Sequence, residues 1–344
     1  MRSEPVRDLG LTLPVLAAPM AGGAGTPALV EAAARAGGLG FLAAGYRTPQ
    51  QLAEQITATA ATGLPFGVNL FAPNPLPVDP AALRRYAELI AVEADRLGVA
   101  LDTAAPPVED DDGWQGKVDV LRAQPVPVVS FAFGIPPRAD LAALRRTGAL
   151  LVQTVTTAAE ARAAAEAGVD ALAVQAPVAG GHSGTLTPTR PPADIALDDL
   201  VAAVRHAVDL PVIACGGLAT PEAVAAAVRA GAQAVAVGTA LLRSDEAGTS
   251  AAHRAALAEP DRTTVLTRAF TGRPARALRN AFTDRYGPAA PYGYPALHHL
   301  TGPIRRAAAA AGDAERLHLW AGTGFRHAAA QPAAVILRRL ADQL

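Results

Sequence analysis

The sequence predicts a (β/α)₈ barrel of the TIM type carrying a smaller cap lobe. Three observations predict it. Short apolar runs alternate with alanine-rich helical stretches through eight successive units. The apolar runs are continuous, not alternating, as parallel strands covered on both faces require. Glycine-rich turns close the last two runs, where such barrels commonly build a phosphate site. An open doubly wound sheet is the architectural alternative, and the eight regular units with a late glycine pair favour the barrel.

The strands are expected at Leu13–Ala18, Leu39–Ala43, Phe66–Phe71 and Val126–Ala132, then at Leu150–Val155, Ala171–Gln175, Pro211–Cys215 and Ala234–Gly238. Helices are expected at Pro27–Ala36, Pro49–Ala61, Pro80–Leu97 and Asp140–Thr147, then at Ala158–Ala167, Leu197–Val208 and Pro221–Ala230. Thr26-Pro27, Thr48-Pro49, Asp79-Pro80 and Thr220-Pro221 each put a capping oxygen before a proline at the first helical position. Gly37, Gly148, Gly168 and Gly231 stand where a helix ends in a left-handed residue.

The chain has 344 residues, more than the roughly 250 a barrel needs. The surplus predicts a barrel from 1–72 and 125–262, with a cap or substrate lobe from 73–124 and 263–344. Within the lobe, a final helix is expected at Pro332–Gln343, and the acidic run Glu109–Asp112 reads as a solvated loop. The two lobe segments are expected to pack together over the barrel mouth.

Composition narrows the function classes. The hydrophobic fraction of 51% supplies a large core, yet no apolar run reaches the length of a membrane span. Met1–Gly10 holds charged residues and no signal-like apolar stretch, which points to the cytoplasm. A net charge of −1 without a basic tract argues against nucleic acid. Cys215 is the single cysteine, so no thiolate cluster for zinc or iron–sulfur exists and no metal site is expected. It reads as a small buried residue, not a nucleophile. His206 and His253 fall on predicted helices and read as surface residues.

Four constellations carry chemistry. Ala17-Ala18-Pro19-Met20-Ala21-Gly22-Gly23 ends the first strand, on the face where barrel active sites form. Its small residues suit a planar ligand lying on backbone, or simply a tight turn. Asn69 is polar in an otherwise apolar strand, and its amide suits either a ligand edge or a loop cap. Gln175 ends the sixth strand and leads to Gly180-Gly181-His182-Ser183-Gly184. A glycine-flanked histidine on a polar loop favours proton transfer or ligand binding over a packing role. Gly216-Gly217 and Gly238-Thr239 close the seventh and eighth strands, and their backbone N–H groups suit a phosphate. No GxGxxG follows the first strand, which disfavours a Rossmann dinucleotide site.

The C-terminal region adds Thr271-Gly272-Arg273-Pro274-Ala275-Arg276 and Ala321-Gly322-Thr323-Gly324. The two arginines read as fasteners of the lobe more than as an anion site. Tyr292, Tyr294, His298 and His299 are candidates for the mouth without a diagnostic spacing.

Taken in order, these segments resemble the class I nitronate monooxygenases, formerly called 2-nitropropane dioxygenases. The resemblance runs from Pro14 to about Phe325, through "PVLAAPMAGGAGTPALVEAAARAGGLGFLAAGY", "FGVNLF", "AGGHSG", "PVIACGGLATPEAV", "AVAVGTALL", "FTGRPARALRN" and "AGTG". "AGGH" alone is shared with flavin enoyl reductases, whereas the ordered set is more specific. The resemblance implies FMN bound by Ala18, Met20, Asn69, Gln175, Gly180, Gly181, Gly216, Gly217, Gly238 and Thr239. It implies His182 as the catalytic residue, a nitronate or nitroalkane and O₂ as small-molecule partners, a carbonyl compound and nitrite as products, and a homodimer.

Two departures stand out. The family loop "Q-G-x-E-A-G-G-H" has Ala176 and Val178 here in place of the glycine and the glutamate, and the usual "GQG" is Gly322-Thr323-Gly324. A changed substrate is therefore expected to be compatible with the same frame. The rival readings are an NAD(P)H-dependent flavin enoyl reductase acting on a C=C bond and a non-catalytic flavin-binding barrel.

Overall fold

The computed structural model describes residues 9–344, so the Met1–Gly10 stretch lies largely outside the described residues. Eight parallel strands close a barrel: β1 (Val15–Ala17), β2 (Gly40–Ala43), β3 (Phe66–Phe71), β4 (Val128–Ala132), β5 (Leu150–Val155), β6 (Ala171–Gln175), β8 (Val212–Cys215) and β9 (Ala234–Val237). Each falls within an expected strand. β9 returns to β1 through the pairs Val15↔Val235, Leu16↔Ala236 and Ala17↔Val237. The (β/α)₈ fold expectation therefore holds.

Leu16, Phe41, Val128, Val152, Ile213 and Ala234 fill the barrel interior. A second apolar layer lies between strands and helices, which is why the strands are apolar on both faces. The capping signals act as expected. Thr26, Thr48 and Thr220 accept from the N–H groups of Leu29, Gln51 and Ala223, and Asp79 accepts from those of Ala81 and Ala82. Gly37, Gly148, Gly168 and Gly231 all take positive φ.

The helical ring is built from α1 (Pro27–Arg35), α2 (Pro49–Ala60), α4 (Trp114–Ala123), α5 (Arg138–Arg145), α6 (Ala158–Ala167), α7 (Leu197–Ala207), α8 (Pro221–Arg229) and α12 (Ala333–Leu340). Two of these were expected in the lobe. α4 packs between α2 and α5, and α12 packs on α1 and α8. Trp114, Val118, Leu121, Ile336, Leu337 and Leu340 bury in the barrel's own outer core. Each thus supplies the helix its βα unit lacked, and the extra chain is inserted ahead of it, in the loops that follow β3 and β9.

Both insertions leave from the C-terminal ends of strands, so both land on the same face of the barrel. There α3 (Pro80–Arg96) packs on α11 (Ala296–Ala311). Leu83, Tyr86 and Ile90 share a core with Phe270, Phe282, Leu297 and Ile304. The Tyr86 hydroxyl donates to Ala269 O at 2.6 Å, and that of Tyr286 to Glu93 Oε1 at 2.7 Å. A three-stranded antiparallel sheet joins the lobe to the barrel: β10 (Thr264–Thr267), β11 (Ala275–Leu278) and β7 (Gly181–His182).

The acidic run is not merely a solvated loop. Glu109 Oε1 accepts from Val78 N at 3.1 Å, Asp110 Oδ2 lies 2.8 Å from His299 Nε2, and Asp112 Oδ2 lies 2.6 Å from Lys117 Nζ. Sequence gave no sign of this because the partners are distant in the chain or sit on a helix whose place was unknown. No helix among the described residues is long and apolar enough to cross a membrane.

Candidate active site

The C-terminal ends of the strands and the lobe enclose a cavity of about 360 Å³. The cofactor and catalytic candidates line it: Ala18 and Met20 after β1, Asn69 on β3, Gln175 on β6, Gly180, Gly181 and His182, Gly216 and Gly217 after β8, and Gly238 and Thr239 after β9, whereas Arg273, Arg276, Tyr292, Tyr294, His298 and His299 stand outside its wall.

His182 is held from three sides. It pairs with Ala275 of β11. Its Nε2 lies 2.9 Å from Thr271 Oγ1. The Gln175 amide clamps its turn, donating to His182 O at 3.1 Å and accepting from Gly184 N at 2.7 Å. These bonds use one N–H and one lone pair of the Gln175 amide, and the residue also lines the cavity. Around the imidazole stand Trp320 at 5.3 Å, Phe133 at 5.6 Å and Tyr294 at 5.9 Å between ring centroids. Burial, then the charges of Arg273 and Arg305, push its pKa down to about 3, so the ring is neutral at neutral pH.

The floor is a glycine cradle. Gly216 and Gly217 take φ of +101° and +75°, and the N–H groups of Gly217, Gly238 and Thr239 donate to no backbone carbonyl among the described residues. A Cβ on Gly180 would lie 2.5 Å from Gly322 N, so the loop bearing His182 packs directly on the C-terminal "AGTG" segment. Gly322 N donates to Thr239 Oγ1 at 2.9 Å, and Thr323 N to Val178 O at 3.1 Å. Both departures from the family loop pattern, Val178 and Thr323, thus meet at one contact. The thiol of Cys215 also faces this cavity, and burial pushes its pKa up to about 12, which keeps it protonated.

A nitronate monooxygenase family model matches residues 3–343. The chain belongs to the nitronate monooxygenase family. That makes it an oxidoreductase. Among solved structures, this family member is similar to a nitroalkane oxidase from Streptomyces ansochromogenes, at 46% identity and a TM-score of 0.92 over 99% of this chain and 98% of that one. A probable nitronate monooxygenase of Staphylococcus aureus is 33% identical, over 98% of this chain and 95% of the relative. FabK from Thermotoga maritima is more distant, at 27% identity and a TM-score of 0.76 over 100% of this chain and 96% of that one.

Several site residues of this nitronate monooxygenase family member escaped the sequence reading. Tyr46 and Phe133 follow β2 and β4 and adopt φ of +66° and +79°, rare for aromatic residues. Both line the cavity. Nothing in a one-dimensional pattern marks a left-handed aromatic residue. His253, read as a surface residue, is 9% exposed and lines the cavity with His318. The helix carrying His253, α9 (Ala251–Ala256), lies under the lobe, whose position could not be foreseen. Arg273 and Arg276 do fasten the lobe: Arg273 Nε donates to Ser183 O at 3.4 Å, and Arg276 Nε to Pro177 O at 2.9 Å. Tyr294 joins the His182 cluster, and His298 stacks on Tyr46 at 4.0 Å.

Proposed function

We propose that this chain oxidises alkyl nitronates, or a related nitro compound, with FMN as cofactor and O₂ as oxidant, giving a carbonyl compound and nitrite. The observation that carries the reading is the placement of His182 in the same cavity as the unpaired glycine cradle at the mouth of the barrel. The cradle fits a phosphate, because three backbone donors lack backbone acceptors and the positive φ at Gly216 and Gly217 leaves the floor free of side chains. Gly217, Gly238 and Thr239 would hold the phosphate. Ala18, Met20, Asn69 and Gly181 would line the ring system, with the Asn69 side chain steadied by its 2.9 Å bond to Ser130 Oγ. When bound, FMN supplies the electron transfer between the nitronate and dioxygen.

The chain's own residues bind and orient the substrate. Nε2 of neutral His182 is committed to Thr271, which leaves Nδ1 for a substrate oxygen or proton. An imidazole held at about pKa 3 is a weak base, so His182 acts chiefly as a hydrogen-bonding and steering group in this reading. Trp320, Phe133 and Tyr294 enclose its ring and exclude water from the reacting carbon. Ala309 of α11 lines the same cavity, with α3 packed on α11, and the assembled enzyme is proposed to be a cytoplasmic homodimer.

The testing experiment is the absorbance spectrum of the purified protein, followed by anaerobic mixing with a nitronate or with NADPH. Flavin bands that bleach with the nitronate and persist with NADPH support the proposal. Rapid bleaching by NADPH would replace it with the enoyl reductase reading, and absence of flavin would remove both.

A further inference from the structure

The cavity wall contains no Asp, Glu, Lys or Arg among the described residues. Full charges stand one layer behind it, and the two that bear most on His182 are both cations, Arg273 and Arg305. We propose that these two guanidinium groups determine the charge selectivity of the site, so that it takes the nitronate anion in preference to the neutral nitro compound. This rests on the nitronate reading above and names the residues that would enforce it.

Arg273 is 0% exposed and forms no ion pair among the described residues. Its Nε and Nη2 donate to the carbonyls of Ser183 and Thr185, its Nη1 has no partner, and its Cζ sits 4.0 Å above the Phe133 ring. The same ring makes a T-shaped contact with His182. Arg305 is 8% exposed and likewise bonds only neutral atoms: Thr301 Oγ1 at 3.1 Å, and His298 O and Nδ1 at 2.8 and 3.1 Å. His298 in turn stacks on the cavity residue Tyr46. One cation thus backs Phe133 and the other backs Tyr46.

The groups facing them offer little compensation. Tyr46 and Tyr294 are phenols that burial holds protonated. His182 and His298 are neutral, and Arg306 adds further positive charge beside Arg305. Glu160 is the one carboxylate that acts on Arg273. It does so from behind Thr185, with its oxygens occupied by Thr156, Thr185 and Leu186 N. Burial lowers both guanidinium groups only to about pKa 10, so both stay charged at neutral pH. Asp112, which also acts on Tyr46 and Tyr294, is already paired with Lys117, so the two desolvated guanidinium groups leave the cavity with a positive bias. A bound nitronate anion is favoured by that bias.

The competing explanation is that Arg273 only staples the His182 loop. Arg305 separates the two, since it touches no atom of that loop. The experiment is calorimetric titration of the purified protein at neutral pH with nitrate, a planar nitrogen oxyanion, and with neutral 2-nitropropane. It is paired with kcat and KM for a preformed nitronate. In Arg305→Gln, nitrate affinity should fall about tenfold or more, neutral 2-nitropropane should bind within about twofold of the parent, and the nitronate KM should rise with little change in kcat. Arg305→Lys should restore nitrate binding. Arg273→Gln is the second variant and should lose nitrate affinity, whereas Arg273→Lys should keep the anion preference despite losing the fork. Equal losses for both ligands, or unchanged nitrate binding in both glutamine variants, would overturn the inference. A parent protein that oxidises nitronates while the glutamine variants keep its anion preference refutes this inference alone. A parent that oxidises no nitronate refutes the proposed function instead.

Discussion

Thr271 Oγ1 lies 2.9 Å from Nε2 of His182 across the seam between lobe and barrel. This hydrogen bond sets which imidazole nitrogen remains for the substrate. Thr271→Val should therefore raise the nitronate KM about two- to tenfold, the worth of one hydrogen bond, with flavin content unchanged. His182→Asn should impair nitronates and neutral nitroalkanes alike, because a ring of such low basicity serves as a binding group for both. Selective loss of neutral nitroalkane turnover would restore the base role instead.

Gly217→Leu should yield largely apoprotein. A leucine there must adopt a φ of +75°, and its Cβ would lie 3.2 Å from Val178 Cγ2. The check is the flavin-to-protein absorbance ratio, with FMN as the flavin released from the parent. Full flavin loading in Gly217→Leu, or release of FAD, would contradict the cradle assignment.

Lys117 is 1% exposed and pairs with Asp112 Oδ2, while Asp112 Oδ1 accepts from the backbone N–H of left-handed Tyr46. Lys117→Met leaves the partly buried carboxylate without its cation, a change expected to cost about 1–3 kcal/mol. Chemical denaturation should show that loss. The nitronate KM should rise as well, since the Asp112 carboxylate that anchors the strained Tyr46 backbone loses the cation that fixes its position. A variant of parental stability would show that the ion pair is dispensable.

The imidazoles of His182, His253, His298 and His318 all have pKa values lowered by burial, to about 3, 4 and 2 for the first three. Below the unfolded value near 6.5, the unfolded chain binds protons at these positions and the folded chain does not. Their contribution is therefore complete above about pH 6.5 and is lost as pH falls toward the folded values. Each imidazole adds a slope of about 1.4 kcal/mol per pH unit in that window. The melting temperature should drop steeply between about pH 6 and 4.5, before most carboxylates titrate. A flat profile there would mean that the histidines are solvated.

The sequence by itself determined the barrel, its strands and the residues gathered at its mouth. These are local properties. A strand covered on both faces must be apolar throughout, a helix start wants threonine before proline, and a ligand-bearing turn wants glycine. Each requirement is written within a few neighbouring residues, as at Thr220-Pro221 or Gly216-Gly217. The order of those segments was specific enough to point to the family.

Only the tertiary structure decided what surrounds His182. Thr271, Arg273, Phe133, Tyr294 and Trp320 reach it from other strand ends and from the lobe, and no periodicity relates them. The same holds for α4 and α12, whose apolar faces suit a lobe and a barrel equally well in one dimension. Burial resolves them, because Trp114, Val118, Ile336 and Leu337 complete the barrel's outer core. Neutrality of His182 and the left-handed Tyr46 and Phe133 belong to the same class. Desolvation and backbone strain are imposed by neighbours far away in the chain, and they exist only once the lobe has closed on the barrel.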